Sequence, residues 1–160
     1  MSIFPTKVVL AIDGSEEASR AAEAAVELCE KTGSELHVVY VGEDFYLTAV
    51  TDLDMVAQTW VAQEYAESET NFEQIAREVL DAEVEKVEAA GGTVAQAHLR
   101  VGRADAEIVD LAEEIEAGLV VLGSRGLGGV KRALMGSVSY SVVRHAHSPV
   151  LVVRRQDSAT

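Results

Sequence analysis

The chain has 160 residues, of which 48% are hydrophobic, and its formal net charge is −14. This length and apolar content suit one domain with a full core, so we expect residues 1–160 to form a single domain. So acidic a chain lacks the basic face that nucleic acids require, which argues against a nucleic-acid partner. No apolar run approaches the roughly 20 residues of a membrane span, and residues 1–7 lack a signal-peptide pattern. We therefore expect a cytoplasmic protein.

The first half of the chain alternates apolar strands with amphipathic segments. Lys7–Ile12 is a continuous apolar run, typical of a strand buried on both faces. Ser15 is a candidate N-cap for a helix whose apolar positions recur at helical spacing until Thr32 and Gly33. Glu35–Val41 predicts a second strand. Residues 42–66 are less regular and hint only at a short helix.

The second half continues the alternation of helices and strands. The expected elements are a helix from about Ser68 to Ala90, a strand Thr93–Arg100, a helix Asp105–Ala117, a strand Leu119–Leu122, a helix from about Ser137 to Ala146 and a strand Ser148–Val153. Such alternation predicts an α/β fold: a five-stranded parallel, doubly wound sheet with helices on both faces.

Two of the expected strands end in residues suited to a ligand. Ligands of doubly wound sheets bind outside the carboxyl ends of the strands, where the strand order reverses. Asp13 follows the first strand and Gly123 follows the fourth. If these strands are neighbours and the chain reverses there, both residues lie at one crevice. The sequence alone does not give the strand order, and Asp13 could also serve only to form a turn.

The segment after the fourth strand has the composition of a phosphate-binding loop. Gly123, Gly126 and Gly136 would let backbone N–H groups approach an anion, and a helix that begins at Ser137 has unpaired N–H donors. Ser137 and Ser139 add hydroxyl donors. The alternative is a connecting loop whose glycines only form turns.

Positive charge is concentrated in the same segment, at Arg125, Lys131 and Arg132. Local cations would allow an anionic ligand to bind to an acidic protein. The alternative is that these side chains form a solvated face of the loop.

The spacing of the glycines distinguishes between kinds of phosphate loop. A P-loop requires a lysine before its serine, but Gly136 precedes Ser137, and the first strand is not followed by Gly-x-Gly-x-x-Gly. The observed spacing, Gly-x-x-Gly-x9-Gly-Ser, resembles the ATP-binding signature of the universal stress protein family. The resemblance covers nearly the whole chain, through the segments Val8–Ser15, Val101–Ile108, Leu119–Gly126 and Ser148–Val153.

The resemblance implies a Rossmann-like fold of the adenine nucleotide alpha hydrolase kind and a protein that binds ATP, with Mg²⁺ carried by the phosphates. It places Asp13 beside the ribose and phosphates, and it has the backbone of Val41 contact adenine. The remaining implied ligand contacts, to ribose and phosphates, are Gly123, Arg125, Gly126, Gly136, Ser137 and Ser139.

The sequence contains no general base arranged for hydrolysis. We therefore expect a nucleotide-responsive stress or signalling protein with at most slow ATP turnover. Two alternatives remain: an enzyme on the same fold, such as an ATPase or nucleotidyl transferase, and a dimerisation module with an empty site.

The last strand predicts an oligomer. Val150–Val153 is short, apolar and β-branched, and we expect it at a sheet edge, where unpaired backbone groups can pair with another chain. Two-fold pairing of this strand with its copy would give a homodimer, which the family resemblance also implies. The alternative is a monomer in which residues 42–66 cover the edge.

Overall fold

The computed structural model describes residues 3–43, 55–125 and 135–155, with the side chains of residues 55–70 excepted. In these ranges the strands are β1 (Lys7–Ile12), β2 (Glu35–Gly42), β3 (Val94–Val101), β4 (Leu119–Gly123) and β5 (Val150–Val153). The helices are α1 (Glu16–Thr32), α2 (Met55–Ala89), α3 (Ala104–Glu114) and α4 (Ser137–His145).

The five strands form one parallel sheet in the order β3-β2-β1-β4-β5. The chain builds from β1 outward to β3, then returns to place β4 on the other side of β1. The predicted parallel α/β fold is therefore confirmed. The first and fourth strands are neighbours, and the strand order reverses between them.

Helices cover both faces of the sheet. The first face packs β1 and β2 against α1 and α2, and its buried residues include Val8, Leu10, Leu36, Val38, Ala21, Ala25, Leu80 and Val87. The second face packs the sheet against α3 and α4, and its buried residues include Val9, Val39, Val120, Ile108, Leu111 and Val142. Neighbouring residues of β1 thus enter opposite cores, which explains why this strand is a continuous apolar run.

The boundaries of α1 follow the predicted caps. The hydroxyl oxygen of Ser15 accepts a hydrogen bond from the N–H of Ala18 at 3.1 Å. Gly33 ends the helix in the left-handed region, with φ 69°, and donates its N–H to the carbonyl of Cys29. The predicted start at Ser15 and end at Gly33 are confirmed.

The prediction of a helix beginning near Ser68 is wrong, because α2 already begins at Met55 and runs for 35 residues. No glycine or proline occurs between Met55 and Ala89, so no local breaker stops the helix. At 1.5 Å per residue its length is about 52 Å. No helix of the described ranges combines the length and the apolarity that crossing a membrane requires.

Candidate functional site

The reversal of strand order brings two helix N-termini to the carboxyl ends of two neighbouring strands. Helix α1 follows β1 after the turn at Asp13, and α4 follows β4 after a loop. β1 and β4 are paired, α1 packs on the first face of the sheet and α4 packs on the second. The two helices therefore begin on opposite faces of the same pair of strands. This order meets the condition for the predicted meeting of Asp13 and Gly123 at one crevice, and the crevice itself stays a prediction.

Asp13 shapes the turn between β1 and α1. Its Oδ1 accepts a hydrogen bond from the N–H of Ser15 at 2.9 Å, and Gly14 between them has φ 80°. The turn-forming role is thus present in the structure. Contact of the Asp13 carboxylate with a ligand stays a prediction.

Gly123 is a glycine for a reason of packing. A Cβ at this position would lie 2.8 Å from the backbone carbon and the Cβ of Glu17, and 3.0 Å from the amide nitrogen of Ala18. The end of β4 therefore lies directly against the first turn of α1. A side chain at this position would therefore push β4 and α1 apart.

Ser124 connects β4, β5 and α4 through its backbone. Its N–H donates to the carbonyl of Val153 at 2.8 Å, and its own carbonyl accepts from the N–H of Gly136 and from the hydroxyl of Ser139, the latter at 2.8 Å. Ser124 and Ser139 are each 2% exposed. These bonds hold the start of α4 at the end of β4. Sequence reasoning missed Ser124, although its place between Gly123 and Arg125 was the available signal.

The first turn of α4 has the kind of backbone groups that can bind an anion. Gly136 precedes it with φ −72° and ψ 164° and has no side chain with which to cap the helix. The N–H groups of Ser137 and Val138 have no intrahelical acceptor, and Ser137 is exposed. Of the two predicted phosphate ligands, Ser137 therefore has an accessible hydroxyl, whereas the hydroxyl of Ser139 is buried and donates to backbone carbonyls.

The backbone of Val41 is directed toward the end of β1. The pairing of β1 with β2 ends at Ile12 opposite Tyr40, one residue before Val41. The carbonyl of Gly42 accepts from the N–H of Gly102 on the β3 side, and alternate residues of a strand direct their backbone groups to opposite edges. The carbonyl of Val41 consequently points into the space beyond β1.

Arg125 is half-buried directly beyond β4 and its neighbour Ser124. Gly126, Lys131 and Arg132 lie outside the described residues.

The first turn of α3 also lies at the carboxyl ends of the strands, because α3 follows β3. Its Asp105 carboxylate accepts from the guanidinium of Arg103 and from the hydroxyl of Ser141 in α4, each at 2.7 Å. The hydrogen bonds from Arg103 and Ser141 lower the pKa of Asp105 to about 2. The carboxylate is therefore ionised at neutral pH and joins α3 to α4.

A second carboxylate, Glu83 of α2, lies near the turn after β1. It is 7% exposed, and its Oε1 lies 4.0 Å from the position of a Cβ on Gly14. Lys86 donates to the same oxygen at 2.7 Å. Glu83 thus lies on the α2 face, and within the described ranges no three His, Cys, Asp or Glu side chains are grouped to hold a metal ion.

The sheet order defines a class of protein: the doubly wound α/β proteins, in which ligands generally bind where the strand order reverses. The sequence model of the universal stress protein family matches residues 5–154, so the chain belongs to this family.

Individual relatives agree with this membership. The chain is 32% identical to universal stress protein YxiE of Bacillus subtilis over 149 residues, which cover 92% of this chain and 98% of that protein. The structure of the hypothetical protein MJ0577 has the same fold, with a TM-score of 0.76, 24% identity, and coverage of 98% of this chain and 100% of that one. A universal stress protein in complex with cAMP is similar at a TM-score of 0.62 and 25% identity, covering 94% of this chain and 98% of that one.

Proposed function

We propose that the protein binds ATP in the crevice between β1 and β4 and acts as a nucleotide-responsive stress protein. The observation that carries the proposal is the first turn of α4, which has N–H groups without an intrahelical acceptor and the exposed hydroxyl of Ser137 at the reversal of strand order. Such a helix start suits phosphate. The cAMP complex of a relative supports a nucleotide as the ligand.

The position of Val41 supports adenine as the base. Its carbonyl, directed beyond the end of β1, can accept a hydrogen bond from the 6-amino group of adenine. Guanine has a carbonyl oxygen at that position, which would face the Val41 oxygen unfavourably. The proposed contacts with ribose and phosphates are Asp13, Gly123, Arg125, Gly126, Gly136 and Ser137, with Ser139 acting through its hydrogen bonds to the carbonyls of Ser124 and Gly136.

Mg²⁺ would accompany the nucleotide. The protein carries a net charge of −14, and Asp13, Glu16 and Glu17 lie at the α1 side of the crevice. A divalent cation on the phosphates would reduce repulsion from these carboxylates and could share a water molecule with Asp13. Phosphate oxygens and retained water molecules would supply the ligands, as is usual for Mg²⁺ at nucleotide sites.

We expect ATP turnover to be slow. Asp13 uses one carboxylate oxygen for its turn, and Lys86 engages the nearby Glu83. Neither is arranged as a free general base in the described structure. We further propose that the protein is a homodimer through β5 and that it resides in the cytoplasm.

Titration calorimetry with Mg²⁺ and ATP tests the proposal, with Gly136→Val as the variant. Gly136 has a φ of −72°, which any residue adopts, so the substitution adds a side chain without backbone strain. We expect ATP affinity to be lost while adenosine, which has no phosphate, binds as before. Equal ATP affinity in the variant and the wild type would refute the site.

Two companion measurements separate the alternatives. Mass spectrometry of the purified protein identifies any copurified nucleotide, and a turnover assay measures hydrolysis. Turnover at many cycles per minute would favour the enzyme. A wild-type protein that binds no nucleotide would favour the dimerisation module.

A further inference from the structure

Helix α4 carries three serines at alternate positions, and their hydroxyls have three different environments. Ser137 is exposed at the helix start, and Ser139 donates to the carbonyl of Ser124. Ser141 donates to Asp105 of α3 across 36 positions of sequence. These hydroxyls therefore bond α4 to the end of β4 and to the first turn of α3, while Val142 of the same helix is buried in the core.

The second attachment lies on the same side of α4 as the open hydroxyl. Residues four apart in a helix lie one above the other, so Ser137 lies one turn above Ser141. A rotation of α4 about its axis would break the bond between Ser141 and Asp105 and would turn Ser137 away from the crevice. The direction of the first-turn N–H groups changes with the same rotation.

Asp105 is itself held in place. Arg103 donates to both carboxylate oxygens, at 2.7 and 3.3 Å, and the Asp105 side chain is 17% exposed. The guanidinium also balances the negative charge of the carboxylate. This balance matters because an uncompensated carboxylate near a phosphate would repel it.

We propose that Asp105 is a positioning residue for phosphate binding: by accepting the Ser141 hydroxyl, it fixes the rotation of α4 that presents Ser137 and the first-turn N–H groups to the ligand. The inference depends on the proposed phosphate site. It predicts that Asp105 affects ligands in proportion to their phosphate contacts and leaves binding of the nucleoside part unchanged.

The test compares ATP with adenosine by titration calorimetry, using Ser141→Ala and Asp105→Ala. We expect each variant to lose about tenfold in ATP affinity, the factor that corresponds to about 1.4 kcal/mol, and to bind adenosine as the wild type does. Asp105→Asn keeps an oxygen that can accept from Ser141, and Ser141→Thr keeps the hydroxyl. Both conservative variants should restore ATP affinity to within about twofold of wild type.

Ser34→Ala is the matched control. The hydroxyl oxygen of Ser34 accepts from the N–H of Thr6 and lies 2.7 Å from the hydroxyl oxygen of Thr32 at the opposite end of β1, so the substitution removes side-chain hydrogen bonds far from the crevice. We expect a lower melting temperature and unchanged ATP affinity.

Three results would overturn the inference. Equal losses for ATP and adenosine would show a general structural role, and so would a loss of ATP affinity in Ser34→Ala. Tighter ATP binding in Asp105→Asn would show that Asp105 acts only through its charge. If the wild type itself binds no ATP, the proposed function fails first, and the two failures are thereby distinguished.

Discussion

At the scale of single residues, the hydroxyl of Ser137 is available to bind a phosphate, whereas the hydroxyl of Ser139 is not. Ser137 is exposed, whereas Ser139 is 2% exposed and lies 2.8 and 3.0 Å from two backbone carbonyls. A hydroxyl has one proton, so Ser139 cannot donate to a phosphate while it donates to Ser124. The two serines should therefore respond differently to substitution.

Ser137→Ala should weaken ATP binding by about 1.5–3 kcal/mol, the range for a hydrogen bond to a charged group, with little change in melting temperature. Ser139→Ala should lower the melting temperature even without ligand, because it leaves buried carbonyls with fewer donors. Calorimetric titration and thermal melts of both variants check this. A Ser137→Ala protein that melts early but binds ATP normally would show that Ser137 stabilises the fold and does not bind phosphate.

The pKa of Asp105 gives a stability that depends on pH. Because the folded pKa of about 2 lies below the unfolded value of about 3.9, the contribution is complete above the unfolded pKa. It is lost as the pH falls through that value toward the folded one. Between about pH 5 and pH 3, wild type should therefore lose more free energy of unfolding than Asp105→Asn. Urea titrations at both pH values measure the difference, and equal losses would contradict the bonding described for Asp105.

At the scale of the elements, the hydrogen bonds of β5 determine which residues could pair with a second chain. Val120 donates to the carbonyl of Pro149 and Ser124 donates to that of Val153, so the odd-numbered residues of β5 face β4. The backbone groups of Val150 and Val152 therefore point outward. Leu151 on β5 is 37% exposed, and Tyr140 and Val143 on α4 are 59% and 48% exposed.

Val152→Pro should abolish the proposed homodimer while leaving the sheet intact, because it removes an outward N–H. Leu151→Pro, in contrast, removes a donor to β4 and should destabilise the monomer. Light scattering at micromolar concentration, together with thermal melts, distinguishes the two effects. A wild-type mass near the 17.1 kDa of one chain would refute the dimer.

Helix α2 shows how much of a helix the local sequence pattern can predict. Its second half was predicted because a clear apolar stripe, with Ile75, Val79 and Val87, recurs at helical spacing. Its first half has a weaker stripe, and this weaker pattern favours a break where no breaking residue occurs. The absence of glycine and proline was the better guide to its true start at Met55.

At the scale of the whole molecule, the order of the strands decides where a ligand can bind. Composition and alternation were enough to predict five parallel strands and helices on both faces. They could not predict the order, because a strand buried on both faces has the same apolar pattern whichever strands lie beside it. The role of Gly123 was hidden for the same reason: its contact with Glu17 exists only once β4 lies next to β1.

The net charge predicts a stability that rises with salt. With −14 charges the folded chain repels itself, and raising NaCl from about 0.05 to about 1 M shortens the screening length to about 3 Å. We expect the melting temperature at pH 7 to rise across this range. Near the calculated pI of 4.6 the net charge vanishes, and the same salt series should have a smaller effect. Equal slopes at the two pH values would show that salt acts through something other than self-repulsion.

The peptide groups of Ser124 have a consequence for how the molecule opens. The N–H of Ser124 donates to the carbonyl of Val153 at the end of β5, and its carbonyl accepts from the N–H of Gly136 at the start of α4. The end of β5 cannot separate from β4 without disturbing the start of α4, and the reverse also holds. We therefore expect these two segments to open as one cooperative unit. Amide hydrogen exchange should then report the same opening free energy for Ser124 and Gly136. A ligand bound in the crevice would slow the exchange of both amides together, so the protection from exchange would extend to the edge strand β5.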